Sequence, residues 1–287
     1  MVKLAISNIA WTGNDESVFE LISKFGVQGV EVAPGKIADW DSLTLSKMYQ
    51  YKVLCSAYGL SIPSFQAFLF GKPELQLLGD YRNFSALKEH IRFVAELAEV
   101  AGAKVLVFGA PKNRQLGPFT KEEAKVIAQD RLLELAEICW QHHVSIGLEA
   151  VPTIYGAEFI EHISESTSMV NNVNHPGLVL HFDTGCTYLA GDDVFQEILN
   201  TNLKIQHFHI SQPKLSDFIK PEEYHTQACN ALCDINYDKW LCIEMLPPPN
   251  KLKDIESSIK SVSIIYSDIL KKNEFKLQCN KLKTPYH

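Results

Sequence analysis

Gly177-Leu178-Val179-Leu180-His181-Phe182-Asp183-Thr184-Gly185-Cys186 is a short apolar run that ends on a carboxylate and breaks at once into a turn. Its β-branched and aromatic content suits a strand buried on both faces. Such a strand delivers Asp183, an acceptor-only group, to one rim of a sheet. Three other runs end in the same manner: Ser145-Ile-Gly-Leu-Glu149, Ile205-Gln-His-Phe-His209 and Trp240-Leu-Cys-Ile-Glu244. The fold follows from asking how four such strand ends are arranged.

Around these runs, apolar strands alternate with segments of helical period. Strands are expected at residues 4–7, 29–33, 59–66, 104–108, 145–149, 177–183, 205–210 and 240–244. Helices are expected at 15–25, 41–54, 83–101, 120–142, 156–170, 192–199, 222–232 and 253–270. Gly26 and Gly102 close two of the helices, and Thr120 followed by Glu122 and Glu123 opens another. Eight strand–helix repeats without a linker or composition break indicate an α/β fold, a single-domain (β/α)8 TIM barrel over residues 1–272. Residues 273–287 read as a polar C-terminal tail. An open doubly wound sheet is the alternative, but no G-x-G-x-x-G follows the first strand. In a closed barrel, the C-terminal strand ends converge on one mouth.

Composition narrows the function. The 287 residues are 46% hydrophobic and carry a net charge of −7, with no basic block before the C-terminal tail. That balance gives no reason to expect nucleic acid or an anionic membrane as partner. Seven scattered cysteines do not form a disulfide framework, and no apolar run approaches a membrane span. A cytoplasmic protein with a small-molecule substrate is expected. The apolar loop at residues 67–78 suits a lid or a subunit contact in a homo-oligomer.

Glu149, Asp183, Glu244 and a histidine at one mouth would repel one another or shift their pKa values unless a cation sits between them. Each also has an ordinary alternative. A strand-final Glu often serves as a cap or ion-pair partner, Asp183 can cap its turn, and a strand His can be a hydrogen-bonded core residue. The recurrence at corresponding ends of the fifth to eighth strands favours a metal. Three carboxylates and one imidazole suit one divalent ion, Mn²⁺ or Mg²⁺, with Co²⁺ or Zn²⁺ as alternatives. His207 and His209 alternate with apolar residues and share a face, so either fits on this ground alone.

The sequence resembles the xylose-isomerase-like TIM barrels, the sugar phosphate isomerase/epimerase superfamily. The resemblance extends to about Leu270 and rests on Gly26-Val-Gln-Gly-Val-Glu-Val32, Gly147-Leu-Glu149, Leu180-His-Phe-Asp-Thr-Gly185, His207-Phe-His209 and Tyr237-Asp-Lys-Trp-Leu-Cys-Ile-Glu244. It implies that Glu149, Asp183, His209 and Glu244 are the metal ligands, leaving His207 as a hydrogen-bonding neighbour. It further implies that Glu149 and Glu244 are catalytic, one removing a proton beside a carbonyl and the other returning one through a metal-stabilised ene-diolate. The substrate would be a small sugar, polyol or keto acid.

Several positions depart from the family pattern. Cys186 stands where many members have His, Tyr155 where ketose 3-epimerases have a second Glu, and Lys214 is the nearest cation to a missing Arg. Gln212 replaces an Asp found in other relatives. Substrate contacts are expected from Trp11, Gln66, Tyr155, Cys186 and Lys214. The leading expectation is an isomerase or epimerase. The alternatives are an inosose-dehydratase-like lyase on the same metal and a non-catalytic small-molecule binder. An abasic-site hydrolase would need histidines that the third and fourth strand ends lack.

Overall fold

A computed structural model describes residues 2–270, so the tail expected at 273–287 lies outside the described residues. Eight parallel strands form one sheet: β1 (Lys3–Ser7), β2 (Gly29–Glu31), β3 (Ser64–Phe65), β4 (Val105–Phe108), β5 (Ser145–Leu148), β6 (Leu178–Asp183), β7 (Ile205–Ser211) and β8 (Trp240–Glu244). Hydrogen-bonded order runs β2-β1-β8-β7-β6-β5-β4-β3. The remaining seam closes through bridges between Gly29 and Ser61 and between Val32 and Phe65. This is the single-domain (β/α)8 barrel.

The third strand is much shorter than the alternating run at residues 59–66 suggested. Pro63 has no N–H to give a ladder, and Ser61 already spends its backbone on Gln28 and Val30 across the closure. The loop at residues 67–80 is held by Asn113, whose side-chain amide donates to Lys72 and Leu75 carbonyls.

The outer layer comprises α1 (Asp15–Lys24), α2 (Leu45–Ala57), α3 (Tyr81–Ala101), α4 (Lys121–Gln141), α5 (Ile163–Val173), α6 (Thr184–Leu189), α7 (Val194–Asn200), α8 (Tyr224–Asp234) and α9 (Leu252–Ile265). Local chemistry sets the ends. Asp80 caps α3, which stops at left-handed Gly102, and Thr120 with Glu123 forms the capping box of α4. The helix expected from residue 156 begins instead at Ile163, because Thr153–Tyr155 makes a 3-10 turn ended by left-handed Gly156. The added helix α6 starts directly after Asp183, where only a turn was expected. Among the described residues, no helix is long and apolar enough to cross a membrane, and none of the six described cysteines is in a disulfide.

Parallel register decides which strand ends are neighbours. Asp183 lies beside His209, Ser211 beside Glu244, and Ser7 beside Glu31. Glu149 stands one residue past β5, where its N–H still donates to the Phe108 carbonyl.

Candidate metal centre

Each of Glu149, Asp183, His209 and Glu244 offers a ligand atom within 4.8 Å of the others, and all four side chains are at least nearly buried. Three were placed by strands β6, β7 and β8 and the fourth by the first residue beyond β5. His209 Nδ1 is 3.2 Å from Glu244 Oε2, 3.6 Å from Asp183 Oδ2 and 3.9 Å from Glu149 Oε1.

The opposite nitrogen of the same ring explains its orientation. His209 Nε2 hydrogen-bonds to Oε2 of Glu31 at 3.1 Å and lies 3.0 Å from its Oε1; Glu31 is a fully buried carboxylate at the end of β2. A carboxylate only accepts, so Nε2 carries a proton, and Nδ1, which faces the other three carboxylates, would turn its lone pair to a cation held among them. Burial alone would raise the Glu31 pKa. His209 and His207, with the Ser64 hydroxyl donating at 2.7 Å, outweigh it and hold Glu31 down at about 2.

Asp183 divides its two oxygens. Oδ1 accepts from the Ser211 hydroxyl at 2.7 Å and from the Cys186 N–H at 2.5 Å, the second bond capping α6. Oδ2 is buried and has no hydrogen-bond partner, as is His209 Nδ1. Carboxylates gathered around one point are costly in a dry interior unless something positive, a proton on His209 or a bound cation, sits among them. Burial and then the Asp183 charge push Glu149 well above the ordinary carboxylate range, and burial also raises Glu244, with His209 pulling it back. For His209, burial disfavours a charged ring, yet Glu31 and Glu244 lift its pKa well above the ordinary value. The residues fit a divalent cation: oxygen-rich donors, one imidazole with Nδ1 turned toward them and a local excess of negative charge.

Two neighbours settle where Glu149 lies. A Cβ added to Gly109 would stand 1.9 Å from Glu149 Oε2, so the absent side chain is the space this carboxylate occupies. Arg114 is fully buried and donates from Nη1 to the Glu149 carbonyl at 2.8 Å. Burial brings its guanidinium down to about 10, and Glu149 opposes that shift, so a positive charge persists behind the site. Deeper in the barrel, His181 and His207 face each other at 3.2 Å through Nδ1, and burial keeps both rings neutral. His207 hydrogen-bonds to His181, and its Nε2 lies 3.3 Å from Glu31 without a hydrogen bond.

The five expected substrate contacts fall into two groups. Tyr155, Cys186 and Lys214 are tied to the mouth: Lys214 N–H donates to the Tyr155 hydroxyl at 2.8 Å, and the Cys186 N–H holds Asp183. Lys214 enters by its backbone, in a left-handed conformation at φ 60°. Trp11 and Gln66 each have a partner within the protein. The Trp11 indole N–H donates to Asp15 at 2.6 Å and its ring stands edge-on to Phe19, while the Gln66 amide donates to the Ser7 hydroxyl. Glu31, Ser211, Gly109 and Arg114 went unassigned from sequence. Glu31 carried a usable signal, since it too is a carboxylate near a strand end, and Ser211 shares a face with His209 by alternation. Gly109 and Arg114 carried none.

A family model described as xylose isomerase-like TIM barrel matches residues 19–262. An inosose dehydratase from Clostridium tetani is 25% identical over 311 residues, covering 91% of this chain and 95% of that protein. The crystal structure of a D-psicose 3-epimerase in the presence of D-fructose superposes with a TM-score of 0.73 at 14% identity, covering 92% of this chain and 97% of that one. A crystal structure of the IOLI protein with a bound zinc atom gives a TM-score of 0.68 at 18% identity, covering 94% and 98%. Those two structural likenesses are likenesses of fold.

Proposed function

We propose that this chain, which belongs to the xylose isomerase-like TIM barrel family, is a metal-dependent isomerase or epimerase that moves a proton beside the carbonyl of a small sugar, polyol or keto acid. The observation that carries the reading is the convergence of Glu149, Asp183, His209 and Glu244 with Asp183 Oδ2 and His209 Nδ1 left without partners. A bound divalent ion would polarise a substrate carbonyl and its adjacent hydroxyl. The donor set suits Mn²⁺ or Mg²⁺ first, with Co²⁺ and Zn²⁺ as alternatives.

The chain's own residues do the rest. Glu149 and Glu244 approach from strands three apart, so one can take the proton and the other return one to the carbon skeleton. Glu31 fixes the His209 ring, and Ser211 with Cys186 fixes Asp183, so the pocket is organised before substrate arrives. Burial of these groups keeps bulk water from competing for the transferred proton.

A second reading is a lyase, supported by the dehydratase relative and by Tyr155. The Tyr155 hydroxyl accepts from Lys214, and its own proton has no acceptor among the described residues. Burial pushes that phenol up to about 12, so it stays protonated and can donate to a departing β-hydroxyl, which leaves as water.

The test follows candidate ketoses and inososes by proton NMR in deuterated buffer, with metal content measured in parallel by plasma mass spectrometry. Deuterium entering at the carbon beside the carbonyl without loss of water supports the isomerase or epimerase. An enone appearing in the near ultraviolet selects the lyase. A metal-loaded protein that exchanges no proton on any candidate overturns both.

A further inference from the structure

The first residues of the strands, at the end of the barrel opposite the metal centre, enclose a cavity of about 450 Å³. That volume is ordinary for a small-molecule site, roughly 300–1,000 Å³. Its wall carries Lys104, Lys239 and His143, with Trp140 and Trp240 beside them and His207 reaching it from the barrel interior. Among the described residues, no Asp or Glu lines it. In a chain of net charge −7, a concave surface with cations and no carboxylate calls for an explanation.

Several donors on this wall carry no side-chain hydrogen bond, although the Ser145 hydroxyl beside them donates to the Pro176 carbonyl. Lys104 has no side-chain hydrogen bond and no ion pair within 4 Å among the described residues, and neither do the side chains of Ser61 and Gln206, which share the wall. Lys239 meets only Asp238, its exposed chain neighbour, at 3.5 Å. Glu99, an exposed acid outside the lining, is hydrogen-bonded to His142 at 2.9 Å, and its charge also acts on Lys104 and His143. His143 stands in the left-handed conformation at φ 57°, just past the end of α4, where glycine fits with less strain. That backbone sets an imidazole on the cavity wall.

We propose that this floor cavity is a second ligand site, built for a compact dianion, a phosphate ester or a dicarboxylate. Two lysine ammonium groups supply point charges of the kind that hold phosphate, and His143, Ser61 and Gln206 supply further donors. The site is independent of the mouth in its chemistry, but touches it through one short path. His207, on the cavity wall, lies 3.3 Å from Glu31, which lies 3.0 Å from His209.

The experiment titrates inorganic phosphate and, separately, succinate into the full-length protein as purified, followed by calorimetry and tryptophan fluorescence. The expected result is saturable binding whose fluorescence change disappears in Trp140→Phe and Trp240→Phe and survives in Trp11→Phe and Trp40→Phe. Lys104→Ala with Lys239→Ala weakens it by about tenfold or more. Asp183→Asn leaves it unchanged. The stronger of the two probes identifies phosphate or carboxylate as the natural group. Absence of saturation by about 10 mM, indifference to the lysine substitutions, or loss in Asp183→Asn would each overturn the proposal, the last by placing the anion at the mouth.

Discussion

The same eight strands build both ends of this barrel, and the two ends carry opposite charge. At the mouth, strand-final residues gather Glu31, Glu149, Asp183 and Glu244 around one imidazole. At the floor, residues that open or precede strands bring Lys104 and Lys239 to a wall with no carboxylate among the described residues. Burial separates them further. The mouth carboxylates are dry and depend on one another, whereas the floor cations face solvent. The comparison shows that charge in a barrel of this kind is assigned by position along the strand, and that only the buried end needs a counter-charge in order to be stable.

The largest effect that would sharpen this contrast comes from Asp183→Asn and His209→Asn. Each is expected to remove stoichiometric metal, read by plasma mass spectrometry, while leaving anion binding at the floor intact. Retained metal in both would break the assignment of the mouth. Next comes Glu31→Gln, which keeps the volume but can present a donor to His209 Nε2. Metal affinity should fall by about 10- to 100-fold, and nitrogen NMR should report a changed tautomer for His209. Gly109→Ala is expected to weaken metal binding by on the order of tenfold, because Glu149 must move from the space the new methyl takes. Calorimetric metal titration checks it, and an unchanged affinity would show that Glu149 has room elsewhere.

The smallest effect belongs to the His162–Asp192 pair on the mouth rim, at 3.0 Å and half exposed. The Asp192 hydrogen bond raises the His162 pKa. A raised histidine contributes stability fully below its unfolded value of about 6.5, and loses it as pH rises through the folded value. Solvent screening limits the effect to about 0.5 kcal/mol. His162→Gln should therefore flatten a small decline in thermal stability as pH rises above about 6.5, and an unchanged slope would remove the pair from consideration.

The barrel and the gathering of polar strand ends at one mouth are legible in strand period and strand ending, whereas the choice of His209 over His207 as a candidate ligand comes only from the family resemblance. His181 and Asp183 alternate with Phe182, and His207 and His209 with Phe208, so strand period alone assigns their faces. Glu31 was obscured because the apolar run continues through Val32 and Ala33, so the carboxylate looked like a mid-strand residue. The ladder ends at Glu31. Ser211 was lost by one residue, the strand having been expected to end at Ile210. Arg114 and Gly109 act through distance in space rather than periodicity, one as a cation beneath a loop and the other as an omitted side chain. The helix α6 was missed because six residues are too few for a periodic signal.

The divided carboxylate of Asp183 has a consequence for anyone surveying this protein by mutation. An asparagine keeps an oxygen that can accept from Ser211 and Cys186, so the helix start it caps survives. A screen that scores substitutions by how much folded protein accumulates in a cell would rate Asp183→Asn as silent. The position would look dispensable in such a map, although half of its side chain is reserved for something that abundance does not register. Only a paired readout of metal content would separate the two oxygens of one residue.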